Sequence, residues 1–533
     1  MKWPHFLIQI PSRCKWSSYF LSVSLAVIAF CLYLPTLKSD FVYDARAQIL
    51  CDNYIHDTGN FAEILSLKVL TRDVIDRRRP AHLLFLMIDA AIWEKQPAGY
   101  HLTSILLHTA CVVLLFFLFI RLLKGWPLGE SPSGSRVRLA AAAGAVLFAI
   151  HPLMCEPVCE VSYREDLLLA FFVLSGLIFA LTISGSDGLK NHLLALGCLL
   201  CLLLACASKE SGIIGTPILL VLWFLFKRGS GRQPWIWLLP SAVIVCTMFV
   251  AAMFFLGPNA SQMLVTRAGY VGGSFLAALK VQPRIWMFQL QLLVFPTNLC
   301  ADYSPWSLRH ISISVAVFVL LATWGLVFFF AQHNRQAYLG AVIWWLALLP
   351  TSNLVPMYQP IGDRLLYLPM VGMSLIATAA LYILLSQRSS IRRMVICIFL
   401  VTCTALVVLN IKRQHIWRNE MSLWEDTSRN NPFSIAAANN LGFALFRGGE
   451  FRHAVDAWQR AVQLSGGKQS DPWAGLAIGF NALGKDQDAD KAFLRALDLD
   501  ARYGNTNQLK NALFWEEIYA SRLIFIAKRL GYK

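Results

Sequence analysis

The chain has 533 residues, 57% of them hydrophobic and 15% charged, with a formal net charge of +16. Soluble domains carry about 25% charged residues, which excludes a chain dissolved wholly in water. The positive charge does not point to nucleic acid either, because the basic residues sit in short loops between apolar runs, where the positive-inside rule puts them.

Apolar runs of about 17–25 residues recur between positions 18 and 410, the length of a helix across a bilayer core. They are rich in Leu and Ala and lack two-residue alternation. The expected class is therefore all-α: a polytopic helical membrane protein, not a β-barrel. Of 13 cysteines, most lie inside these runs (Cys31, Cys111, Cys198, Cys201, Cys206, Cys246, Cys397, Cys403) and read as small packing residues, not a disulfide framework.

The first span, 18–36, follows Lys2, Arg13 and Lys15 with no small-x-small cleavage site, the pattern of an uncleaved anchor. A polar loop, 37–98, comes next. Within it RRRPAHLLFLMIDAAIW (77–93) holds an apolar run too short to cross, as expected of an interfacial or re-entrant helix. Further spans are expected at 99–123, 138–152, 166–184, 191–207, 211–226, 235–256, 311–331, 338–351, 365–386 and 394–410. The basic segments 1–15, 121–138, 227–232 and 387–393 all fall on the cytoplasmic side if 284–296 does not cross. This gives about eleven crossings, with the N-terminus inside and the C-terminus outside. The outer face then gathers 37–98, 153–165, 208–210, 257–310 and 352–364.

After residue 410 the composition turns polar, and 411–431 reads as a linker between a membrane core, 1–410, and a helical domain, 432–533. That domain contains a repeat. Leu441, Gly442, Leu445, Ala454, Trp458 and Ala461 match tetratricopeptide positions, and Leu476, Ala477, Phe480, Ala489, Phe493 and Ala496 match them again 35 residues on. The tail 508–530 is apolar at helical spacing and is expected to cap the stack.

Ionisable groups at membrane depth are costly and mark function. At the outer span ends the chain offers Asp40, Asp44 and Arg77 to Arg79; Glu156, Glu160, Arg164 and Asp166; Lys209 and Glu210; and Asp302, Asp363, Arg364 and Tyr367. Carboxylates can take a proton from a hydroxyl, and Arg and Lys can neutralise a phosphate. By position alone Asp44 is either a loop cap or a base. Glu160 and Arg164, four apart, could pair on one helix. His151, Cys155 and Cys159 have metal-ligand spacing, but Pro152 and Pro157 interrupt the helix and no metal is expected. Asn259-Ala260-Ser261 fits a glycosylation acceptor.

The pieces FVYDARAQIL, RRRPAHLLF, YHLTSILLH, LFAIHPLMCEPVCEVSYREDLL, SKESGI, FPTNLCADYS, SNLVP, GDRLLYLPMVG and the repeats, in this order, resemble the transmembrane and tetratricopeptide-repeat (TMTC) family of O-mannosyltransferases. The resemblance covers nearly the whole chain. It implies a GT-C glycosyltransferase core that moves mannose or another hexose, with inversion, from a polyprenyl-phosphate donor to a protein or glycan acceptor. It implies Asp44 as general base, with Glu156, Arg164 and Asp166, the pair Lys209 and Glu210, and Arg364 at matching positions. Arg164, Lys209 and Arg364 are then the expected donor-phosphate ligands. Asp40, Arg79, Glu156, Asp166, Glu210, Asp302, Asp363 and Tyr367 are the expected support, and no cofactor is implied. The low repeat count points to a bacterial inner-membrane protein with its repeats in the periplasm, on the active-site side, where they could recruit the acceptor. One departure stands out: the family commonly has two adjacent acids at the start, and the second is Ala45 here. That departure motivates the alternative, a non-catalytic membrane-anchored repeat scaffold for envelope proteins. No paired half-sequences of the kind found in transporters are visible.

Overall fold

A computed structural model describes residues 12–532 except 73, 125–133, 185–187, 227–233, 257–269, 272, 304, 333, 354–358 and 506–515. Most of segment 1–15, the basic segment 227–232, the triplet at 259–261 and the start of tail 508–530 lie outside the described residues.

Among the described residues every regular element is helical. All eleven expected spans form helix. Among the described residues, seven helices are long and apolar enough to cross a membrane, beginning with Ser17–Lys38 and ending with Ser389–Ile416. An eighth is a bent pair, Gly134–Ile150 with Pro152–Cys159, turning by 56°. Pro80–Trp93, Glu210–Phe226 and Ile313–Leu326 are apolar but shorter. The helix Phe275–Val294 has 20 residues and is not apolar enough to join that set.

The bend follows from His151-Pro152. Proline disfavours helical backbone in the residue before it, and His151 is extended at φ −67° and ψ 132°. The chain restarts as short turns, is extended again at Glu160, and then enters the helix Arg164–Thr182. Every residue from 151 to 170 is buried, so this bent segment is the plug around which the other helices pack.

Segment 411–431 is not a loose connector. The last span runs on to Ile416, and after a short break the helix Glu420–Asn430 follows. Trp417, Leu423 and Trp424 of this region are buried in the same apolar cluster as the membrane helices.

Beyond it come two helical hairpins, Ile435–Arg447 with Phe451–Leu464 and Ser470–Ala482 with Asp486–Leu499, then a last helix, Glu517–Arg529. The small repeated residues Ala454, Ala461, Ala489 and Ala496 are fully buried and let helices approach; Trp458 and Phe493 fill the space between them. A Cβ at Gly442 or Gly475 would come within 2.6 or 2.4 Å of the Trp458 ring, so the indole needs glycine on both flanks.

Candidate functional site

The site begins at the C-terminal end of the first span, where the turn Leu34–Lys38 delivers the chain to Tyr43 and Asp44. Tyr43 has φ +52°, a left-handed conformation uncommon for a bulky residue. Its neighbours hold it there. The Tyr43 amide donates to Glu420 Oε1 at 2.5 Å, its ring meets Trp424 edge-on at 4.9 Å, and its hydroxyl accepts from Gln359 Nε2 at 3.1 Å.

Asp44 lines a cavity of about 680 Å³ between loop residues such as Asp302 and Gln359 and the hairpin residues Asn439, Phe443 and Arg447. Its carboxylate is open to this cavity but otherwise enclosed, with Tyr163 Oη donating to Oδ2 at 3.1 Å. The guanidinium of Arg364 lies 3.9 Å above the Tyr163 ring. Arg364 is fixed by Glu156 Oε1 at 2.8 Å and by Gln359 Oε1 at 3.0 Å. Burial raises the Asp44 pKa above its ordinary value; Arg364 and the Tyr163 hydroxyl partly offset this.

Behind this pair lies a denser charge network. Arg79 donates to Glu165, to Asp76 Oδ1 at 3.0 Å, and to both oxygens of Glu210 at 3.3 Å. Lys209 Nζ reaches both oxygens of Asp166 at 2.7 Å and Glu165 Oε1 at 3.0 Å. Burial lowers the Lys209 pKa, but Asp166 and Glu165 more than reverse that, and the ammonium stays charged. Asp76 is pushed up to about 6 by burial, against the pull of Arg79.

The chain breaks that aim these groups are legible locally. Lys209 follows the end of the helix Leu189–Ser208 in extended conformation, before the turn Glu210–Ile214. A Cβ at Gly212 would lie 2.3 Å from the Ala205 carbonyl carbon, so only glycine lets this turn fold back on the preceding helix. Arg79 has non-helical backbone, φ −121° and ψ 62°, in front of Pro80, the first residue of the helix Pro80–Trp93.

The structure thus brings Asp44, Arg79, Glu156, Asp166, Lys209, Glu210 and Arg364 together. Asp302 joins the cavity wall, accepting from Gln359 Nε2 at 2.9 Å and from Ser434 Oγ at 2.5 Å. Arg164 lies elsewhere: it is wholly enclosed, paired with Asp89 at 2.7 Å and donating to the Tyr100 carbonyl at 2.8 Å. One helical step turns a side chain by about 100°, so Glu165 faces Arg79 and Lys209 while Arg164 faces the other way. Glu160 does not pair with Arg164, because a turn at 161–163 separates them; it accepts from the Ala45 amide at 2.9 Å and from Ser162. Asp363 is buried against Tyr303 and Arg413, and Tyr367 against His108. Asp40 is exposed, its amide donating to the Arg418 carbonyl at 2.9 Å. Tyr163, Glu165, Gln359, Asp76 and Glu420 were not singled out by sequence. The first two sit inside the SYRED motif and were legible as neighbours of the chosen charges; the others are joined to the site only by folding.

Asp76, His82 and Glu165 place ligand atoms within 4.8 Å of one another, the one grouping among the described residues that could hold a metal ion. Arg79 already serves both carboxylates, and Lys209 serves Glu165. His151 has both ring nitrogens engaged, with the Leu293 carbonyl and the Leu153 amide, which leaves it no nitrogen for a metal shared with Cys155 and Cys159.

Comparison with known proteins gives relatives along most of the chain. A Caenorhabditis elegans protein O-mannosyl-transferase, F38B6.6, is 25% identical over 461 residues, covering 83% of this chain and 62% of its own. Protein O-mannosyl-transferase Tmtc3 of Drosophila melanogaster is 26% identical, covering 78% of this chain and 51% of its own. Human protein O-mannosyl-transferase TMTC3 is 22% identical, covering 90% and 55%. The chain therefore spans about half to three-fifths of the length of these relatives. No family model and no solved structure matches.

Proposed function

We propose, from the premise that this chain is a relative of the TMTC protein O-mannosyl-transferases, that it is a membrane glycosyltransferase of the GT-C type. It moves mannose or another hexose from a polyprenyl-phosphate donor to a hydroxyl of a protein or glycan acceptor. The reaction takes place on the non-cytoplasmic face. The observation that carries this reading is the Asp44 carboxylate opening into a large cavity, held by Tyr163, whose ring face carries the Arg364 guanidinium. The side chains of Arg79, Lys209 and Arg364 are 22%, 10% and 14% exposed, whereas that of Arg164 is 0% exposed and out of reach of a phosphate.

In this reading the acceptor oxygen attacks the anomeric carbon while its proton passes to Asp44. The bond from that carbon to the phosphate oxygen breaks, and polyprenyl phosphate leaves with its charge met by Arg364, with Lys209 and Arg79 behind it. Tyr163 orients both ends, holding Asp44 by its hydroxyl and Arg364 on its ring face. Ala45 does not weaken the assignment. It is fully buried in an apolar cluster with Phe41, Ile49 and Leu86, so a side chain there would point away from the cavity.

The test is Asp44→Asn in reconstituted vesicles, with labelled polyprenyl-phosphate mannose and a hydroxyl-bearing acceptor. Loss of a general base costs about 10²–10⁴-fold, and the variant should insert and fold as before. Because the Asp44 pKa is raised, the wild-type rate should fall on acidification at a pH above the ordinary carboxylate range. Undiminished transfer by the variant overturns the reading and leaves an anchored repeat scaffold.

A further inference from the structure

We propose that the chain binds an anionic glycerophospholipid of the surrounding bilayer in a cleft between the outer ends of its first and last spans. The cleft holds about 540 Å³, and its lining shares no residue with that of the Asp44 cavity. Its lower part is apolar and open, with Cys31, Leu34 and Ile411 all exposed. Its upper rim carries Lys38, His415 and Arg418, also exposed, and none of the three is ion-paired among the described residues.

Two observations point to a lipid. The last span has only 6% of its apolar window buried inside the protein, so its flank is finished by bilayer chains. Yet its outer end is anchored: Asn410 Nδ2 donates to Tyr33 Oη at 2.9 Å, and Gln414 Nε2 to the Leu32 carbonyl at 3.0 Å. The two helices are tied at one level and leave a gap beside the tie. Basic groups at the helix ends above apolar surface match a molecule with a phosphate at one end and acyl chains at the other. The site is independent of the proposed glycosyl transfer.

The full chain, delipidated in detergent, is titrated by native mass spectrometry with phosphatidylglycerol, phosphatidylcholine or polyprenyl phosphate. Phosphatidylglycerol should be retained in preference to phosphatidylcholine. Lys38→Gln and Arg418→Gln should each weaken it about fivefold, with Lys38→Arg restoring binding and thermal unfolding confirming that each variant is folded. Equal retention of phosphatidylcholine overturns the proposal, as does unchanged phosphatidylglycerol binding in folded variants. Preferential polyprenyl phosphate binding that the same substitutions abolish also overturns it, by assigning the cleft to the donor.

Discussion

The hairpins at 435–499 and the charge network around Asp44 are both closely packed, but different rules place their residues. In the hairpins, small and large apolar side chains recur at a near-fixed interval, and each position meets its neighbour one turn or one helix away. In the network, Arg79, Glu156, Glu165, Lys209 and Arg364 come from four stretches of chain, each broken at a proline, a glycine or an extended residue. Periodicity builds the first region; interruptions of periodicity build the second.

Substitutions can break this contrast. The largest effect is expected at Arg164, which belongs to the packing although it stands in the SYRED motif. Arg164→Gln strands Asp89 in the interior, and removing one partner of a buried pair costs about 3–5 kcal/mol; Arg164→Leu with Asp89→Leu should recover most of this in chemical unfolding, and should leave the pH profile of transfer unchanged. Trp458→Ala comes next, at about 3–5 kcal/mol for a buried indole, read as unfolding of the hairpins; a variant as stable as the wild type would show that the ring does not hold the repeat together. Arg364→Gln combined with Glu156→Gln should act the opposite way: both partners of the pair are removed, so no buried charge is stranded and stability should change little, while transfer falls about 10²–10³-fold, the cost of one charge-stabilising donor. If this double variant unfolds the chain and Arg164→Gln only slows transfer, the two arginines have been assigned in reverse. The smallest effect is at Arg447, which shares Glu516 with Arg46 at 2.7 Å each. Glu516 keeps a partner in Arg447→Gln, so the change in stability should be about 0.2–1 kcal/mol and weaken with salt.

The same contrast explains what was legible in the sequence. Run length was enough to locate helices at the eleven expected segments, of which seven, or eight with the bent pair, are long and apolar enough among the described residues to cross a membrane, and the repeated Ala positions with Trp458 and Phe493 were enough to place the hairpin interiors. For the site, position at a span end marked out Asp44, Lys209 and Arg364, which do converge. It also marked out Arg164, Asp363 and Tyr367, which face the interior instead. For Arg164 the difference lies in one residue of helical rotation after the turn at 161–163, which run length does not encode. Arg79 could be seen but not ranked, because its direction depends on how Pro80 starts the next helix. Asp76 and Glu420, 344 positions apart, had no local signal at all.

The left-handed backbone at Tyr43 has a practical corollary for truncation work. What clamps that residue is Glu420 and Trp424, which lie beyond the last membrane helix. A fragment that stops at residue 410 keeps every charged group of the network but loses the brace on the peptide preceding Asp44. Such a fragment would look inert in an assay, and its silence would be misread as proof that the distal hairpins perform the chemistry.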